Sequence, residues 1–175
     1  MLRIVPALSE GTISQARNLF REYGSTPGVT PCLEDFEREL AALPGSYAPP
    51  GGRLLLALQE STKNSGEAIG CIALRRLEPD VCEVKRLYVR PTFRGSGAGR
   101  ELVRTLIADA RSIGYKRMLL DTLPSMTEAH KLYRTLGFRE IPAYQKDPIP
   151  GALFFELLLH GTLSGISHEP LEPIS

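Results

Sequence analysis

The sequence predicts a mixed α/β (α+β) fold, with a mostly antiparallel central sheet and about four helices around it. Three patterns lead to this prediction: apolar residues at helical spacing in the first third of the chain, strand-like runs joined by short turns in the middle, and a βαβα pattern after Pro91. The chain has 175 residues, of which 42% are hydrophobic and 23% are charged. This length and composition are typical of one globular domain.

The first third is predicted to contain one strand and two helices. The strand covers residues 3–6, and Ser9 is a suitable N-cap for the helix that follows. That helix ends at Gly24, and Thr30 followed by Pro31 marks the start of the second helix. The apolar residues that define the two helices are Ile13, Ala16, Phe20 and Tyr23, then Leu33, Phe36, Leu40 and Leu43.

A proline-rich loop over residues 43–52 leads to an antiparallel meander. Three runs have the composition of β-strands, at residues 54–58, 68–77 and 81–89. The segments between them, STKNSG and EPD, are short and rich in turn-forming residues. We therefore expect the three strands to pair in sequence order.

The C-terminal half is predicted to alternate helix and strand. A helix over residues 97–113 ends at Gly114, because a glycine readily adopts the conformation that closes a helix. A short buried strand follows at residues 118–120, and a last strand is predicted over residues 152–159.

Another helix is predicted between those two strands. Ser125 and Glu128 are spaced as a capping box at its start, and Gly137 ends it. Residues 161–175 have no periodicity. We therefore expect a single domain over residues 1–160 and a flexible C-terminal tail over residues 161–175.

The overall charge gives no reason to expect a nucleic acid or an anionic membrane as partner, because 21 Lys and Arg balance 20 Asp and Glu for a net charge of +1. No apolar run approaches the roughly 20 residues of a membrane-spanning helix, and the N-terminal MLRIVPALSE lacks the apolar core of a signal peptide. Cys32, Cys71 and Cys82 form neither an even set nor a CxxC motif. Free thiols and a cytoplasmic location are therefore expected.

No metal site is predicted. His130, His160 and His168 lack a spacing that would gather metal ligands, and solvent-facing positions are expected for all three. The cysteines are expected to be small buried residues in strands rather than nucleophiles, because no histidine partner can be assigned to them.

The stretch VCEVKRLYVRPTFRGSGAGR, residues 81–100, points to a phosphate ligand. A strand runs into a turn with glycines at every second position, and a helix then begins. Glycines at the start of a helix allow close approach to a ligand, and the free N–H groups there favour phosphate. Arg94 and Arg100 add charged, forked donors. The glycines are Gly95, Gly97 and Gly99.

Two other phosphate motifs do not fit this turn. The P-loop needs Lys followed by Ser or Thr after its last glycine, whereas Gly99 is followed by Arg100 and Glu101. The dinucleotide fingerprint GxGxxG is not met, and the turn follows a meander rather than opening a βαβ unit. From these residues alone, a tight strand-to-helix connection without a ligand is also open.

The segment RGSGAG, residues 94–99, resembles the (Q/R)xxGx(G/A) signature of the GNAT superfamily of acyl-CoA N-acyltransferases. A second family signature lies downstream in AHKLYRTLGF, with Ala129, Leu132, Tyr133, Gly137 and Phe138 at the matching positions. The likeness covers roughly residues 52–160, and two signatures at the expected separation are far more specific than one. It implies that the middle strands of the sheet splay apart.

The resemblance implies acetyl-CoA as cosubstrate, a primary amine as acceptor and no metal. The diphosphate would rest on the glycine turn and the pantetheine arm would add alongside the splayed strand through main-chain hydrogen bonds. The residues it assigns to acetyl-CoA are Leu87, Tyr88 and Val89 on the strand, and Arg94, Gly95, Ser96, Gly97, Ala98, Gly99 and Arg100 in the turn.

Tyr133 matches the family tyrosine that commonly protonates the leaving thiolate. A phenol with a pKa of about 10 can protonate a thiolate whose conjugate acid has a pKa near 8.5. Periodicity alone favours Tyr133 as a core aromatic in the stripe of Ala129, Leu132 and Leu136, and the match to the family signature is what favours the catalytic role.

Glu83 is the predicted general base. Strand alternation would place Glu83, Lys85, Leu87 and Val89 on one face, along the bound thioester. Three alternatives remain open from the sequence: a cross-strand ion pair of Glu83 with nearby basic residues, Asp121 as the base, and a chain of water molecules. The basic residues are Lys85, Arg75 and Arg76.

One family position is not matched, because Met126 stands where many members carry an asparagine that contacts the cofactor. Ser125 or Thr127 could substitute for it. The acceptor is expected on the opposite side of the splayed strands, between residues 24–34 and 141–151. Tyr47 and Tyr144 are the aromatic candidates for its lining.

The acceptor itself is not identified by the sequence. Polyamines, amino acids, aminoglycoside-like amines and protein N-termini are all open, as is a homodimer. Two other functions compete with catalysis: a module that binds acyl-CoA as a sensor without turnover, and a protein that uses the glycine turn for another phosphate ligand.

Overall fold

A computed structural model describes residues 1–29, 33–61 and 64–159 of the chain. Within these ranges, seven strands form one sheet in the order β1-β2-β3-β4-β5-β7-β6. The strands are β1 (Leu2–Pro6), β2 (Arg53–Ser61), β3 (Asn64–Glu78), β4 (Val81–Val89), β5 (Arg117–Thr122), β6 (Arg139–Ile141) and β7 (Leu153–Leu158). The helices are α1 (Glu10–Gly24), α2 (Leu33–Ala42), α3 (Ala98–Ile113) and α4 (Thr127–Thr135).

The sheet is mixed and mostly antiparallel, which confirms the predicted fold class. Strands β2, β3 and β4 pair as the predicted meander, and β4 and β5 form a parallel pair. Helices α1 and α2 pack on one face through an apolar cluster that includes Phe20 and Leu40, and α3 packs on the other through one that includes Leu102 and Leu106. The sheet therefore separates two cores.

The N-terminal cap of α1 is confirmed. Ser9 Oγ accepts a hydrogen bond from the Thr12 N–H at 3.2 Å, and the Ser9 N–H donates to Thr12 Oγ1 at 3.0 Å. Gly114, with φ of 106°, closes α3 as predicted. The predicted start of the second helix at Thr30 and Pro31 lies outside the described residues, as do Cys32 and the tail over 161–175.

The predicted capping box at Ser125 is wrong. Helix α4 begins at Thr127, its N-cap is Met126, and no side chain caps it. The Met126 N–H donates to the Leu123 oxygen at 3.0 Å, and this turn moves the helix start one residue along the chain. Glu128 instead pairs with Lys131, whose Nζ lies 3.0 Å from Glu128 Oε1.

The prediction that all three histidines face solvent is also wrong. His130 is buried against Phe155, and its Nε2 lies 3.0 Å from the Leu123 oxygen. His160 and His168 lie outside the described residues. Cys71 and Cys82 are buried in strands as expected, and burial raises the pKa of the Cys82 thiol to about 12.

A bulge at Arg86 changes the direction of the side chains along β4. Arg86 has φ of 59°, the one positive φ of a non-glycine residue in the described ranges. Ala73 of β3 pairs with Lys85, whereas Cys71 pairs with Tyr88, so β4 carries one extra residue between these pairs. An extra residue moves every later side chain to the opposite face.

The predicted alignment of Glu83, Lys85, Leu87 and Val89 on one face is therefore wrong. Leu87 and Val89 pack on the α3 side of the sheet, while Glu83 lies on the opposite side and contacts Tyr144. The bulge could not be predicted from the sequence, because a glycine normally marks such a position and arginine occupies it here.

Strands β4 and β5 separate after a short parallel ladder. They pair from Val81 with Arg117 to Glu83 with Leu119, and beyond this point both strands continue without pairing to each other. A gap thus opens between their C-terminal ends, beside the start of α3. No helix in the described part of the chain combines the length and apolar character needed to cross a bilayer.

Candidate active site

The turn between β4 and α3 requires glycine at two positions. Gly95 has φ of 80° and Gly97 has φ of 89°, a conformation that side chains with a Cβ rarely adopt. A Cβ at either position would meet nothing within 4 Å. Backbone conformation therefore selects glycine here, and the turn faces open space.

The main-chain N–H groups at the start of α3 are free to bind a ligand. The helix ladder begins with the Glu101 N–H, which donates to the Gly97 oxygen at 3.0 Å. The N–H groups of Gly97, Gly99 and Arg100 have no acceptor among the described residues, and that of Ala98 has only Ser96 Oγ at 3.4 Å. Free donors at the positive end of a helix dipole favour a phosphate group.

The gap between β4 and β5 is lined by unpaired main-chain groups. The Arg90 N–H donates to Ile69 on β3, so alternation turns the peptide groups of Leu87 and Val89 toward the gap. The Val89 oxygen accepts from Arg94 Nε at 3.1 Å and keeps a second lone pair. The Tyr88 side chain points away from the gap, onto the face of the sheet that α1 covers, where it packs against Tyr23.

Tyr133 lies on α4 with its ring in the core and its hydroxyl at a cavity. The residue is 5% exposed, and its ring packs against Phe138 and Phe155. Its hydroxyl has no hydrogen-bond partner among the described residues. Burial raises the pKa of the Tyr133 phenol, and nearby Tyr23 and Asp121 raise it further. The core position of the ring is therefore confirmed, while the role of the hydroxyl as an acid stays a prediction.

The cavity has a volume of about 590 Å³ and joins the gap to the α1–α2 side of the sheet. Val29 and Ile149 line it, one from each of the two segments predicted as acceptor walls. Tyr47 lines it as predicted. Tyr144 does not, because its ring packs against Phe154.

Glu83 lies behind the cavity wall and is 1% exposed. Its Oε1 accepts from Arg75 Nε at 2.8 Å, and its Oε2 accepts from the Tyr144 hydroxyl at 2.7 Å. Lys85 Nζ lies 3.8 Å from the same Oε1. The alternative of an ion pair with neighbouring basic residues is thus confirmed, and both Glu83 oxygens have protein partners.

Asp121 and Lys85 lie at the cavity itself. Asp121 stands at the end of β5, and its Oδ1 is 3.6 Å from Lys85 Nζ across the gap. This separation is longer than a hydrogen bond. Asp121 therefore has free lone pairs facing the same space as the Tyr133 hydroxyl.

Arg86 and Glu39 connect the bulge to α2. Arg86 Nε and Nη2 donate to Glu39 Oε2 at 3.1 and 2.8 Å, and the Tyr47 hydroxyl donates to Glu39 Oε1. The guanidinium also lies over the rings of Tyr23 and Phe36, at 5.7 and 5.8 Å from their centroids. Sequence reasoning missed this pair, because residues so far apart in sequence carry no local pattern.

Thr122 is another residue that the sequence did not single out. It is 6% exposed and lines the cavity. Its Oγ1 is buried and has no hydrogen-bond partner within the described part of the chain. A buried hydroxyl without a partner costs free energy, so this side chain destabilises the fold.

The described residues hold no group of three or more His, Cys, Asp or Glu side chains that could bind a metal ion. The site is built from free main-chain donors, an unpaired stretch of β4, the hydroxyl of Tyr133 and a set of charged side chains around the cavity.

Comparison with known proteins gives a consistent result. The sequence profile of the acetyltransferase (GNAT) family matches residues 14–138. An uncharacterized N-acetyltransferase of Schizosaccharomyces pombe is 37% identical over 140 residues, covering 79% of this chain and 83% of the relative.

Solved structures share the fold. An acetyltransferase of the GNAT family from Staphylococcus aureus superimposes with a TM-score of 0.75 at 19% identity, covering 91% of this chain and all of that one (100%). A Salmonella typhimurium protein assigned as an acetyltransferase, solved with its cofactor acetyl-CoA, has a TM-score of 0.63 at 18% identity and covers 93% of this chain and 96% of that one.

Proposed function

This chain belongs to the acetyltransferase (GNAT) family, and on that premise we propose that it transfers the acetyl group of acetyl-CoA to a primary amine by direct attack in a ternary complex. One observation carries the proposal: free N–H groups at the start of α3 and the unpaired end of β4 lead to a cavity that holds the Tyr133 hydroxyl. These features fit a diphosphate, an extended arm and a thioester in that order.

The turn residues 94–100 would bind the diphosphate through their N–H groups, with Arg94 and Arg100 nearby. The peptide groups of Leu87 and Val89 would pair with the amides of the pantetheine arm, as an added strand does. The N–H of Leu87 or Val89 is also the candidate donor to the thioester oxygen as negative charge develops on it.

Tyr133 is the proposed general acid. The amine nitrogen forms a bond to the thioester carbon, the carbon–sulfur bond breaks, and its electron pair leaves on sulfur. The Tyr133 hydroxyl donates its proton to that sulfur. Burial keeps the phenol protonated at neutral pH, because it raises the pKa of Tyr133.

Asp121 is the proposed general base. The attacking amine must lose a proton, and the carboxylate of Asp121 lies at the cavity with free lone pairs. Glu83, the base predicted from the sequence, has both oxygens engaged by Arg75 and Tyr144. We therefore assign Glu83 to positioning the charged side chains around it and assign the proton transfer to Asp121.

The experiment is to mix the protein with acetyl-CoA and a panel of primary amines and to follow free thiol release, with mass spectrometry of the acetylated amine. Thiol release that matches amide formation is the expected result. Thermal stabilisation by CoA without thiol release across the panel would contradict catalysis and favour a binding module.

A further inference from the structure

The cavity contains both signs of charge. Among the described residues that line it, four are basic and three are acidic. A pocket built for a polyamine would have more carboxylates than cations, because each amine of the ligand is protonated at neutral pH. The lining residues are Arg38, Arg75, Lys85 and Arg86, with Asp35, Glu39 and Asp121.

Two of the acidic groups near the cavity are already neutralised by the protein. Both Glu39 oxygens accept hydrogen bonds, from Arg86 and from Tyr47. Buried Glu83 is engaged in the same way by Arg75 and Tyr144. At the rim, Asp35 pairs with Arg38 on the surface of α2. Asp121, beside the gap, accepts no hydrogen bond from the other described residues and has Lys85 as its ion-pair partner.

Two cations of the lining, Lys85 and Arg75, have N–H groups that donate to no described residue. Lys85 has a side chain only 18% exposed, yet its Nζ lies 3.6 Å from Asp121 and 3.8 Å from Glu83, beyond hydrogen-bond length. Arg75 uses Nε and Nη2 on Glu83, which leaves its Nη1 without a partner among the described residues. Lys85 and Arg75 approach the same oxygen, Glu83 Oε1, so their free donors converge on one region.

From this arrangement we propose that the acceptor amine also carries a carboxylate, which Lys85 binds with Arg75 beside it, while the amine faces Asp121. The acceptor would thus be an amino acid rather than a polyamine or a simple alkylamine. This inference rests on the proposed acetyl transfer. A zwitterion matches the Lys85–Asp121 ion pair charge for charge, since its ammonium would face Asp121 and its carboxylate would face Lys85.

The test compares matched acceptors under saturating acetyl-CoA, with thiol release as the readout. Each set contains an amino acid, its carboxamide and its decarboxylated amine, and the sets vary the side chain and the distance between amine and carboxylate. The carboxamide matters because its amine loses a proton more readily than that of the amino acid, so intrinsic reactivity favours the compound without the charge. We expect at least one amino acid to exceed both partners about tenfold or more in kcat/KM.

Variants of Lys85 give a second readout. Loss of a charged hydrogen bond in Lys85→Met should raise KM for that amino acid about 10- to 100-fold and leave KM for its carboxamide within about twofold. Lys85→Arg should retain the preference for the carboxylate. Lys116→Met is the matched control, because Lys116 pairs with Asp80 on the surface, away from the cavity.

The outcomes separate this inference from the function on which it rests. Turnover of polyamines or carboxamides at or above the rate for amino acids would overturn the inference and leave acetyl transfer standing. An equal loss for charged and uncharged acceptors in Lys85→Met would also overturn it. Absence of thiol release with every acceptor would contradict both proposals.

Discussion

Lys85 Nζ lies 3.6 Å from Asp121 Oδ1, so an ion pair spans β4 and β5 at the point where these strands no longer hydrogen-bond to each other. The carboxylate sits at the mouth of the gap, beside the cavity that holds the Tyr133 hydroxyl. Lys85 and Asp121, the proposed general base, thus share this end of the gap.

Replacing Asp121 and Glu83 by their amides, one at a time, distinguishes the roles of the two carboxylates. Asp121→Asn should lower kcat about 10²- to 10⁴-fold and remove the acidic limb of the kcat/KM profile, because a base would be lost. Glu83→Gln should keep that limb but lower the free energy of unfolding by about 1–3 kcal/mol, because the partly exposed Arg75 and Lys85 lose their charged partner. Urea unfolding and pH–rate profiles of both variants measure this, and loss of the limb in Glu83→Gln alone would reverse the assignment.

Tyr133→Phe should lower kcat about 10²- to 10⁴-fold with little change in stability, because the hydroxyl has no protein partner to lose. Burial raises the pKa of the Tyr133 phenol above its ordinary value of 10.0. Tyr133 is thus protonated at neutral pH, and it loses its proton only when the pH rises past this raised pKa. Wild-type kcat should therefore not decline through this group below about pH 10. Unchanged kcat in Tyr133→Phe would exclude the role.

Arg86 offers a test of backbone strain. Residue 86 has φ of 59°, which glycine adopts more easily than alanine. Arg86→Gly should therefore be more stable than Arg86→Ala by about 1 kcal/mol, although glycine usually weakens a strand. Both variants should be less stable than the wild type, because Glu39 loses its guanidinium partner. Arg76 on β3 has no positive φ and is the matched control, where alanine should be the more stable substitution. If alanine were the more stable substitution at position 86 as well as at position 76, the bulge would be contradicted.

Gly97→Ala should weaken CoA binding and cost about 1–2 kcal/mol of stability, because alanine resists φ of 89° and the N–H groups of the turn would move. Gly11→Ala in α1 is the control. A Cβ there meets nothing within 4 Å and the helix favours alanine, so stability should rise by about 0.5–1 kcal/mol. Calorimetric titration with CoA and thermal unfolding measure both effects. Unchanged CoA affinity in Gly97→Ala would contradict the role of the turn as the diphosphate site.

Thr122→Val should stabilise the protein by about 1 kcal/mol, because it removes a buried hydroxyl that has no partner among the described residues. The same change should leave KM for acetyl-CoA within about twofold, because the buried oxygen presents no surface to a ligand. Denaturant unfolding and initial rates at varied acetyl-CoA concentration measure the two effects. A loss of stability in Thr122→Val would contradict the prediction.

The sequence predicted the fold class and the glycine turn because both depend on local patterns. Helical spacing, strand-like runs and glycines at a helix start are visible within short windows, and the predicted meander and the end of α3 at Gly114 were confirmed. The two family signatures identified the turn and Tyr133 on the same grounds.

The arrangement of the charged residues could not be predicted in this way. An arginine in a β-bulge carries no glycine signal, and this extra residue placed Glu83 and Leu87 on opposite faces of the sheet. The pairing of Glu39 with Arg86 and the orphan hydroxyl of Thr122 depend on contacts between distant segments. The burial of His130 on α4 has the same cause, since Phe155 of β7 covers it.

The central claim, that the N–H groups at the start of α3 bind the diphosphate of acetyl-CoA, is tested most directly by amide chemical shifts. Titrating ¹⁵N-labelled protein with CoA should shift the amide signals of Gly95, Gly97 and Gly99, whereas pantetheine, which lacks the diphosphate, should leave them in place. Saturation with CoA that moves none of these three signals would contradict the account.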